Sequence, residues 1–349
     1  MSGRMLSEAL EDFVTAVFHK LGLPEGDARW MAHPLVLTEQ RGVASHGVIR
    51  VPYYAQRLEA GALNPRPQIR IAKDCGALAL MDGDNGMGQI VSRRAMEESI
   101  ERAAKHNIAL VLVKESNHFG AAATYAMMAV EKDMAGIVTT TTMKNVAPHG
   151  AKAPLIGNNP ISIALPASPP LCLDMALSVV ARGYVLQAAH AGKKIPEGWG
   201  LDADGQPTTD PNVVLKSALL CPIAGHKGSG LSILIDALIA GLAGSGFSHQ
   251  VKALGDNSGR SRVAHFFLAI NIASLLPVEA FRASVDAFCA LLRAAPKAAG
   301  VERIWTPGEM EAGNMAERSE RGIPLPPERL KEMAEIGRRL GIPVPEAAG

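Results

Sequence analysis

Apolar residues recur every three or four positions along the first forty residues of the chain. One series runs from Leu6 to Leu21, and a second runs from Ala28 to Val36 and stops before Gly42. This spacing places the apolar side chains on one face of a helix. The pattern therefore predicts two amphipathic helices, with Asp27 as the N-cap of the second.

From Ile69 onward the pattern changes to short apolar runs separated by Gly, Asp and Pro. Residues 69–89 predict two short strands, broken at Asp74-Cys75-Gly76 and followed by a glycine-rich turn. Further strands are predicted at Ile108–Val113, Gly136–Thr142, Ile161–Leu165, Leu171–Met175 and His265–Ile270. Helices are predicted at Ala121–Lys132, Ser178–Ala191, Gly230–Ala243, Val278–Leu292 and Pro327–Leu340, with a long loop at Ile195–Asn212. The strand–helix–strand order at 108–142 indicates a β-α-β unit, and the whole pattern indicates an α/β protein with helical ends.

Composition and charge exclude several classes of protein. The chain has 349 residues, of which 48% are hydrophobic, and its 35 basic and 34 acidic side chains give a net charge of +1. Such a balance creates no field that would attract nucleic acid or an anionic membrane. Leu231–Phe247 is the longest strongly apolar stretch, and it contains Asp236 and several glycines, which favours a buried helix over a membrane span. Acidic residues near the N-terminus and four scattered cysteines are typical of a cytoplasmic protein.

Familiar cofactor and metal motifs do not match. Gly86-Met87-Gly88 is followed by Val91 where the Rossmann fingerprint requires its third glycine. A phosphate-binding GxxxxGK[ST] loop and an HExxH zinc motif do not occur, and the ten histidines are not spaced as zinc ligands. The sequence therefore predicts a reaction without a bound metal and without a Rossmann cofactor site.

The first candidate site is the segment that begins Ser45-His46-Gly47. If Ser45 caps a helix, His46, Arg50 and Tyr54 lie four residues apart on one face. That face combines a group that titrates near neutral pH, a guanidinium that binds carboxylates and a phenol, so Arg50 and Tyr54 are expected on the substrate side. Pro52 would bend such a helix or delay its start. The alternative is that these are ordinary capping and solvent-exposed residues.

Two further segments have the composition of ligand-binding turns. Ser116–Ala121, with His118, follows the strand Ile108–Val113, and ligands of open α/β sheets gather at the carboxyl ends of strands. Gly225–Gly230, with Lys227, precedes an apolar helix, and its small residues would let the backbone approach a phosphate or carboxylate. The alternatives are a helix-start histidine and a flexible loop.

Six segments together resemble the malate/L-lactate dehydrogenase family of the second type, which is unrelated to the Rossmann lactate dehydrogenases. They are SHGVIRVPYYAQRLEAG, ESNHFGAAATYA, GNNPIS, LDMALSVVARG, IPEGWGLDADGQPTTDP and GHKGSGLSILID. The resemblance extends from about Leu6 to Leu340. It implies an α/β fold in which a mixed-sheet domain binds NAD(P) without the Rossmann fingerprint. The implied domains are a helical domain of residues 1–68 and 295–349 and an NAD(P)-binding domain, with a helical extension, of residues 69–294.

The resemblance also implies roles for individual residues. His46 corresponds to the proton donor, with Ser45 as its hydrogen-bonding partner, and Arg50 corresponds to the anchor of the substrate carboxylate. His118 matches a cofactor-binding turn and, in some members, an acid/base. The other substrate-side positions are Asn158, Arg182 and Gly183. The cofactor-side positions are His118, Phe119, Gly120, Ala121, Ala122, Asp174, Met175, Ala176, His226, Lys227, Arg303, Pro307, Gly308 and Glu309.

The implied activity is NAD(P)-dependent reduction of a small 2-oxo acid, with NAD favoured by analogy with the malate and lactate enzymes. Two positions depart from the family pattern, since members often carry Thr where Asn158 stands and Lys where Tyr184 stands. Both lie on the expected substrate side, so reduction of a cyclic imino acid, such as pyrroline- or piperideine-2-carboxylate, remains an alternative. A third hypothesis is a non-catalytic binding protein of the same fold. The family also implies a homodimer with cofactor and substrate near the interface.

Overall fold

A seven-stranded mixed sheet lies at the centre of the computed structural model, which describes residues 3–345. Residues 1–2 and 346–349, assigned to the predicted helical domain, lie outside the described residues. The strands are β1 (Gly3–Met5), β2 (Arg70–Cys75), β3 (Leu78–Asp82), β4 (Ile108–Ser116), β5 (Met134–Thr140), β6 (Ile161–Leu165), β7 (Leu171–Met175), β8 (Gly200–Leu201), β9 (Leu219–Leu220), β10 (Val263–Asn271) and β11 (Ile323–Leu325). The helices are α1 (Ser7–Lys20), α2 (Glu25–Gln40), α3 (Val51–Glu59), α4 (Gly88–His106), α5 (Ala123–Val130), α6 (Arg182–His190), α7 (Pro211–Ser217), α8 (His226–Ala243), α9 (Val278–Ala294), α10 (Glu309–Arg321) and α11 (Pro327–Leu340). The predicted α/β class and mixed sheet are confirmed.

The order of the central sheet is β2-β3-β4-β10-β5-β6-β7. Only the β3–β4 pair is parallel, and β10 runs antiparallel to both of its neighbours, so that Leu268 lies opposite Leu110 of β4 and Ile137 of β5. The two strands of the predicted β-α-β unit are therefore not neighbours in the sheet. Strands β4 and β5 run in the same direction, but a strand from much later in the chain separates them.

Helices cover both faces of this sheet. Helices α4 and α5 pack on one face, where Val111, Val113 and Phe267 meet Met96 and Tyr125 in one buried cluster. Helix α8 packs on the other face through Ile235 and Ile239 against Leu112 and Ala264. Burial of each such side chain contributes about 1.5–3 kcal/mol to folding. Strand β4, which leads to His118, is therefore covered by helices on both faces.

The two ends of the chain pack together, as the resemblance implies. Strand β1 pairs with β11 in an antiparallel manner, and one buried cluster combines Leu10 and Phe18 of α1 with Ile323 of β11 and Ile336 of α11. Tyr54 of α3 belongs to the same cluster. The helical part of the fold is therefore built from both chain ends.

Several predicted boundaries are correct, and others are wrong. Strands β6 and β7 and helix α11 have the predicted bounds. Helix α2 begins at Glu25 after Pro24, so Asp27 lies inside the first turn and is not the N-cap. Helix α6 begins at Arg182 and not at Ser178, because Ser178 forms a β-bridge to Pro222.

Two further predictions are wrong: the loop that contains β8 and the first residue of α8. The predicted loop Ile195–Asn212 contains β8, which pairs with β9, and its last residues begin α7. Helix α8 begins at His226, before the predicted Gly230, because Gly228 packs so closely on the Ile223 carbonyl that a Cβ there would lie 2.0 Å from that oxygen. Gly225–Gly230 is thus largely the first turn of a helix. Helices α4, α7 and α10 were not predicted.

Helix α8, predicted as a buried helix, is only partly buried within the single chain. It leaves an apolar stripe exposed on the side away from the sheet, formed by Leu231, Leu234, Leu238 and Leu242. Leu234 is 67% exposed and Leu242 is 60% exposed. Helix α9 is similar, since Cys289 is its only buried residue while Phe288 and Leu291 are exposed. Among the helices of residues 3–345, none is long and apolar enough to cross a membrane.

Candidate functional site

The segment between α2 and α3 carries the first predicted site residues. It forms two short 3-10 turns, Ala44–His46 and Val48–Arg50, with Gly47 between them, and α3 follows from Val51. The prediction of one continuous helical face is wrong, while the later start of the helix, one of the two effects expected of Pro52, is confirmed, since α3 begins at Val51.

A contact that the local sequence does not reveal causes this break. Gly47 packs on the side chain of Glu39 in α2, and a Cβ at Gly47 would lie 2.2 Å from Glu39 Oε1. The Val48 backbone N–H donates to the same oxygen at 3.0 Å. Burial raises the pKa of Glu39 to about 7, and the hydrogen bond from Val48 opposes that shift. Glu39 therefore supports the turn that carries His46.

Side chains of this segment bond to one another. Ser45 Oγ lies 2.9 Å from His46 Nδ1, and Arg50 Nε donates to the Ser45 carbonyl at 2.8 Å. Burial and the positive charge of Arg50 lower the pKa of His46 to about 4, although the residue as a whole is only half-buried. The expectation that His46 titrates near neutral pH in the free protein is therefore wrong.

His118 joins this segment from the end of β4. Its ring stacks on the ring of His46, with 5.7 Å between centroids and 13° between planes. Tyr54 Oη lies 2.7 Å from His118 Nδ1, and Gln89 Nε2 of α4 donates to the same Tyr54 oxygen at 2.7 Å. Burial, followed by the charge of Arg50, lowers the pKa of His118 well below its usual value. We call these residues the histidine cluster: Ser45, His46, Arg50, Tyr54, Gln89 and His118.

Several residues predicted on the cofactor side form a second neighbourhood, which begins directly after His118 in the chain. The Ala123 backbone N–H donates to Asp174 Oδ2 at 2.9 Å, which brings Phe119–Ala122 next to Asp174-Met175-Ala176. The Cys172 N–H donates to the Pro307 carbonyl at 3.0 Å, and this contact places Pro307-Gly308 beside β7. Surrounding protein raises the pKa of Asp174 to about 6, although its side chain is open on one side.

Two arginines lie in this second neighbourhood. Arg41 approaches Cys172 Sγ at 3.8 Å, and its charge acts on Asp174. The Arg303 guanidinium lies 4.0 Å from the centroid of Trp305 and pairs with Glu309. The neighbourhood thus contains the carboxylates of Asp174 and Glu309 together with the guanidinium groups of Arg41 and Arg303.

The remaining predicted residues lie outside the histidine cluster, although the Asn158 carbonyl accepts a hydrogen bond from the Leu177 N–H, next to Ala176 of the second neighbourhood. Arg182 and Gly183 begin α6, and His226 and Lys227 begin α8; all four are exposed, and we call them the outer residues. Asn158 follows β5 in the chain and accepts a hydrogen bond from Thr142 Oγ1 at 2.8 Å. Hydrogen bonds among the described residues do not link any of these five to His46 or His118. Within residues 3–345, His, Cys, Asp and Glu side chains also do not form a group of three able to hold a metal ion.

Sequence reasoning missed two buried residues that shape the site. Gln89 lies in α4, whose apolar positions Val91 and Ala95 recur every four residues and could have indicated the helix. His265 of β10 lies between Thr140 and Ser116, with ring nitrogens 2.7 and 2.8 Å from their hydroxyls, and it stacks on Phe119. Only the sheet order brings His265 next to Phe119, so no local signal could have found it.

Known proteins match the chain over nearly its whole length. The family described as malate/L-lactate dehydrogenase matches residues 5–334. Malate dehydrogenase of Pyrococcus abyssi is 39% identical over 97% of this chain and 95% of its own length. The solved structure of sulfolactate dehydrogenase from Methanocaldococcus jannaschii superposes with a TM-score of 0.91 and 35% identity, over 99% of this chain and 98% of that one.

A third relative is named for a different substrate class. It is the Delta(1)-pyrroline-2-carboxylate/Delta(1)-piperideine-2-carboxylate reductase of Pseudomonas putida, 36% identical over 69% of this chain and 71% of its own length. Members of the family use NAD(P), and the names of matching relatives include both NAD(+) and NADP(+). Family match, coverage and fold agree, so the chain belongs to the malate/L-lactate dehydrogenase family and is an oxidoreductase.

Proposed function

We propose that this chain catalyses the reversible, NAD(P)-dependent reduction of a small 2-oxo acid to the 2-hydroxy acid. The observation that carries the proposal is the stacked pair of imidazoles, His46 and His118, beside the guanidinium of Arg50. An imidazole exchanges a proton with a carbonyl or hydroxyl oxygen, and a guanidinium binds a carboxylate through two parallel hydrogen bonds. A 2-oxo acid presents a carbonyl and a carboxylate on adjacent carbon atoms, which matches this arrangement.

His46 is the acid/base in this proposal. With its low pKa, it is neutral in the free enzyme and ready to accept the hydroxyl proton during oxidation. A substrate carboxylate held by Arg50 offsets the positive charge that lowers the His46 pKa, so substrate binding raises that pKa. The same ring then donates a proton to the carbonyl oxygen during reduction.

NAD(P) fits the residues beyond His118. Asp174 offers a carboxylate that accepts hydrogen bonds from ribose hydroxyls, and Arg41 offers positive charge for the diphosphate. Arg303, which is paired with Glu309, offers guanidinium N–H donors beside them. When bound, the nicotinamide supplies the hydride in reduction and accepts it in oxidation. We propose NAD over NADP, because the carboxylate of Asp174 favours a ribose hydroxyl and repels a 2′-phosphate.

Initial rates with a substrate panel test this proposal. Oxaloacetate, pyruvate, pyrroline-2-carboxylate and piperideine-2-carboxylate are assayed with NADH and with NADPH. We expect turnover of a 2-oxo acid, with a higher kcat/KM for NADH. Turnover of neither 2-oxo acid with either cofactor would contradict the proposal, and a preference for NADPH would overturn the cofactor assignment alone.

Reduction of a cyclic imino acid is the second candidate. It is supported by the similarity to the Pseudomonas putida reductase and by Asn158 and Tyr184, which stand where family members often carry Thr and Lys. A protonated C=N accepts a hydride readily, so a proton donor matters less and anchoring by Arg50 matters more. The panel separates the two candidates, since exclusive turnover of the imino acids would favour this one. The third hypothesis, a non-catalytic protein, fails because the chain is an oxidoreductase.

We also propose that the chain acts as a homodimer. The exposed leucines of α8 recur at spacings of three and four residues, which gives a continuous apolar seam suited to a second copy. Light scattering should give twice the chain mass of 36.8 kDa. Leu234→Glu should shift the protein to the monomer, whereas the control Leu6→Glu, at an exposed residue before α1, should not. A wild-type monomer with full activity would contradict this proposal.

A further inference from the structure

The ring of His118 is held by a series of hydrogen bonds that starts at α4. Gln89, which is fully buried, lies 2.7 Å from the Tyr54 hydroxyl, and that hydroxyl, on a side chain only 1% exposed, lies 2.7 Å from His118 Nδ1. The start of α4 is itself fixed. Trp30 Nε1 donates to the Gln89 carbonyl at 2.9 Å, and a Cβ at Gly88 would lie 2.4 Å from the His118 carbonyl oxygen.

A backbone N–H determines which group donates in each hydrogen bond of this series. The Gly120 N–H points at His118 Nδ1 at 3.4 Å, and a backbone N–H can only donate. Nδ1 is therefore an acceptor, so the Tyr54 hydroxyl donates to it and accepts from the Gln89 amide. In the reverse direction, Nδ1 would carry a hydrogen that faces the Gly120 N–H, and two donors would oppose each other.

The two histidines consequently differ. With Nδ1 as an acceptor, a neutral His118 carries its hydrogen on Nε2, and Nε2 makes no hydrogen bond to the described residues. The His46 ring faces the Ser45 hydroxyl instead, which both donates and accepts, so His46 can exchange its proton and change tautomer without losing its partner.

We infer that Gln89 and Tyr54 are positioning residues that hold His118 as a neutral Nε2–H donor to the reacting oxygen of the substrate. This inference rests on the proposed function and assigns a different role to each of the two histidines. His118 polarises the oxygen through a fixed hydrogen bond, and His46 transfers the proton. Tyr54, predicted as a substrate contact, then acts on the substrate only through His118.

Nitrogen-15 NMR of the histidine rings in the ligand-free enzyme tests the inference without relying on turnover. His118→Gln identifies the His118 signals by their loss. We expect the wild type to show a bare Nδ1 and a protonated Nε2 in His118. A protonated Nδ1 would overturn the inference, whether or not the enzyme reduces any acid in the substrate panel.

Variants of the series give a second readout. Tyr54→Phe removes the shorter of the two hydrogen bonds to His118 Nδ1 and leaves only the long one from the Gly120 N–H, so the two tautomers should mix. The variant should lower kcat roughly tenfold, the effect of one lost hydrogen bond, with little change in KM. Gln89→Met should act in the same direction with a smaller loss. The matched control is Tyr125→Phe, which also removes a buried hydroxyl, one bonded to the Phe119 carbonyl, and should leave the His118 tautomer unchanged. An unchanged His118 tautomer in both Tyr54→Phe and Gln89→Met would overturn the inference.

Discussion

The histidine cluster and the outer residues differ in how far a single chain fixes their geometry. In the histidine cluster, His118 is bonded to a buried tyrosine, and His46 is bonded to Ser45. The outer residues are exposed at the first turns of α6 and α8. Catalytic groups gain from being held in place before the substrate arrives, because ordering them afterwards costs binding energy.

The environments of the two groups explain the difference. The histidine cluster lies where α2, α3, α4 and the end of β4 meet, and each element supplies a partner for another. Arg182 and Lys227 lie on helices that face solvent and carry exposed apolar side chains nearby, such as Tyr184 and Leu231. Few contacts within the single chain therefore fix their geometry.

Replacement of His46 should produce the largest effect. His46→Ala removes the proposed acid/base, so kcat should fall by roughly two to four orders of magnitude. His106→Ala, at an exposed histidine in the last turn of α4, is the control and should retain wild-type rates. Steady-state kinetics in both reaction directions measure the change. Near wild-type turnover of His46→Ala would remove His46 from the mechanism and favour His118.

A pair of glycine substitutions compares the two groups directly. Gly47→Ala places a Cβ 2.2 Å from Glu39 Oε1, so the free energy of unfolding should fall by about 1–3 kcal/mol. Gly183→Ala, at an outer residue with open space around its Cα, should change it by less than about 0.5 kcal/mol. Urea denaturation measures both. Equal stability of the two variants would show that Glu39 does not confine the His46 turn.

The pH dependence of oxidation should reveal the charge around His46. The neutral ring accepts the proton, so kcat/KM for the 2-hydroxy acid should stay level as the pH falls from 7 to 5 and decline only toward the His46 pKa of about 4. Arg50→Gln removes the nearby positive charge and should move that decline to higher pH, in addition to raising KM. A half-maximal value near pH 6.5 in the wild type would show that burial and Arg50 do not perturb the ring.

The sequence predicted most of the sheet and the long helices, because apolar spacing reports burial on one or two faces. Strands β6 and β7 were predicted to the residue. Helix α4 was missed because many of its residues are charged and it follows a glycine-rich turn that was tested only as a cofactor motif. The place of β10 between β4 and β5 was also missed, because strand order depends on contacts between distant residues.

The sequence identified the separate motifs of the site but did not predict how the fold arranges them. Spacing placed His46, Arg50 and Tyr54 on a single helix, but the contact of Gly47 with Glu39 divides that segment. His118 was found as an independent motif, and the fold brings it to His46. Gln89 carried no recognisable motif, since its role depends on a buried hydroxyl 35 residues earlier in the chain.

The position of β10 has a consequence for synthesis of the protein on the ribosome. Strands β4 and β5 are complete by Thr140, but the strand that joins them begins at Val263. Until then a nascent chain exposes two apolar strand edges that face each other without a partner, and such edges promote association between chains. Formation of the sheet core must therefore await about three quarters of translation, and pairings between such distant segments slow folding.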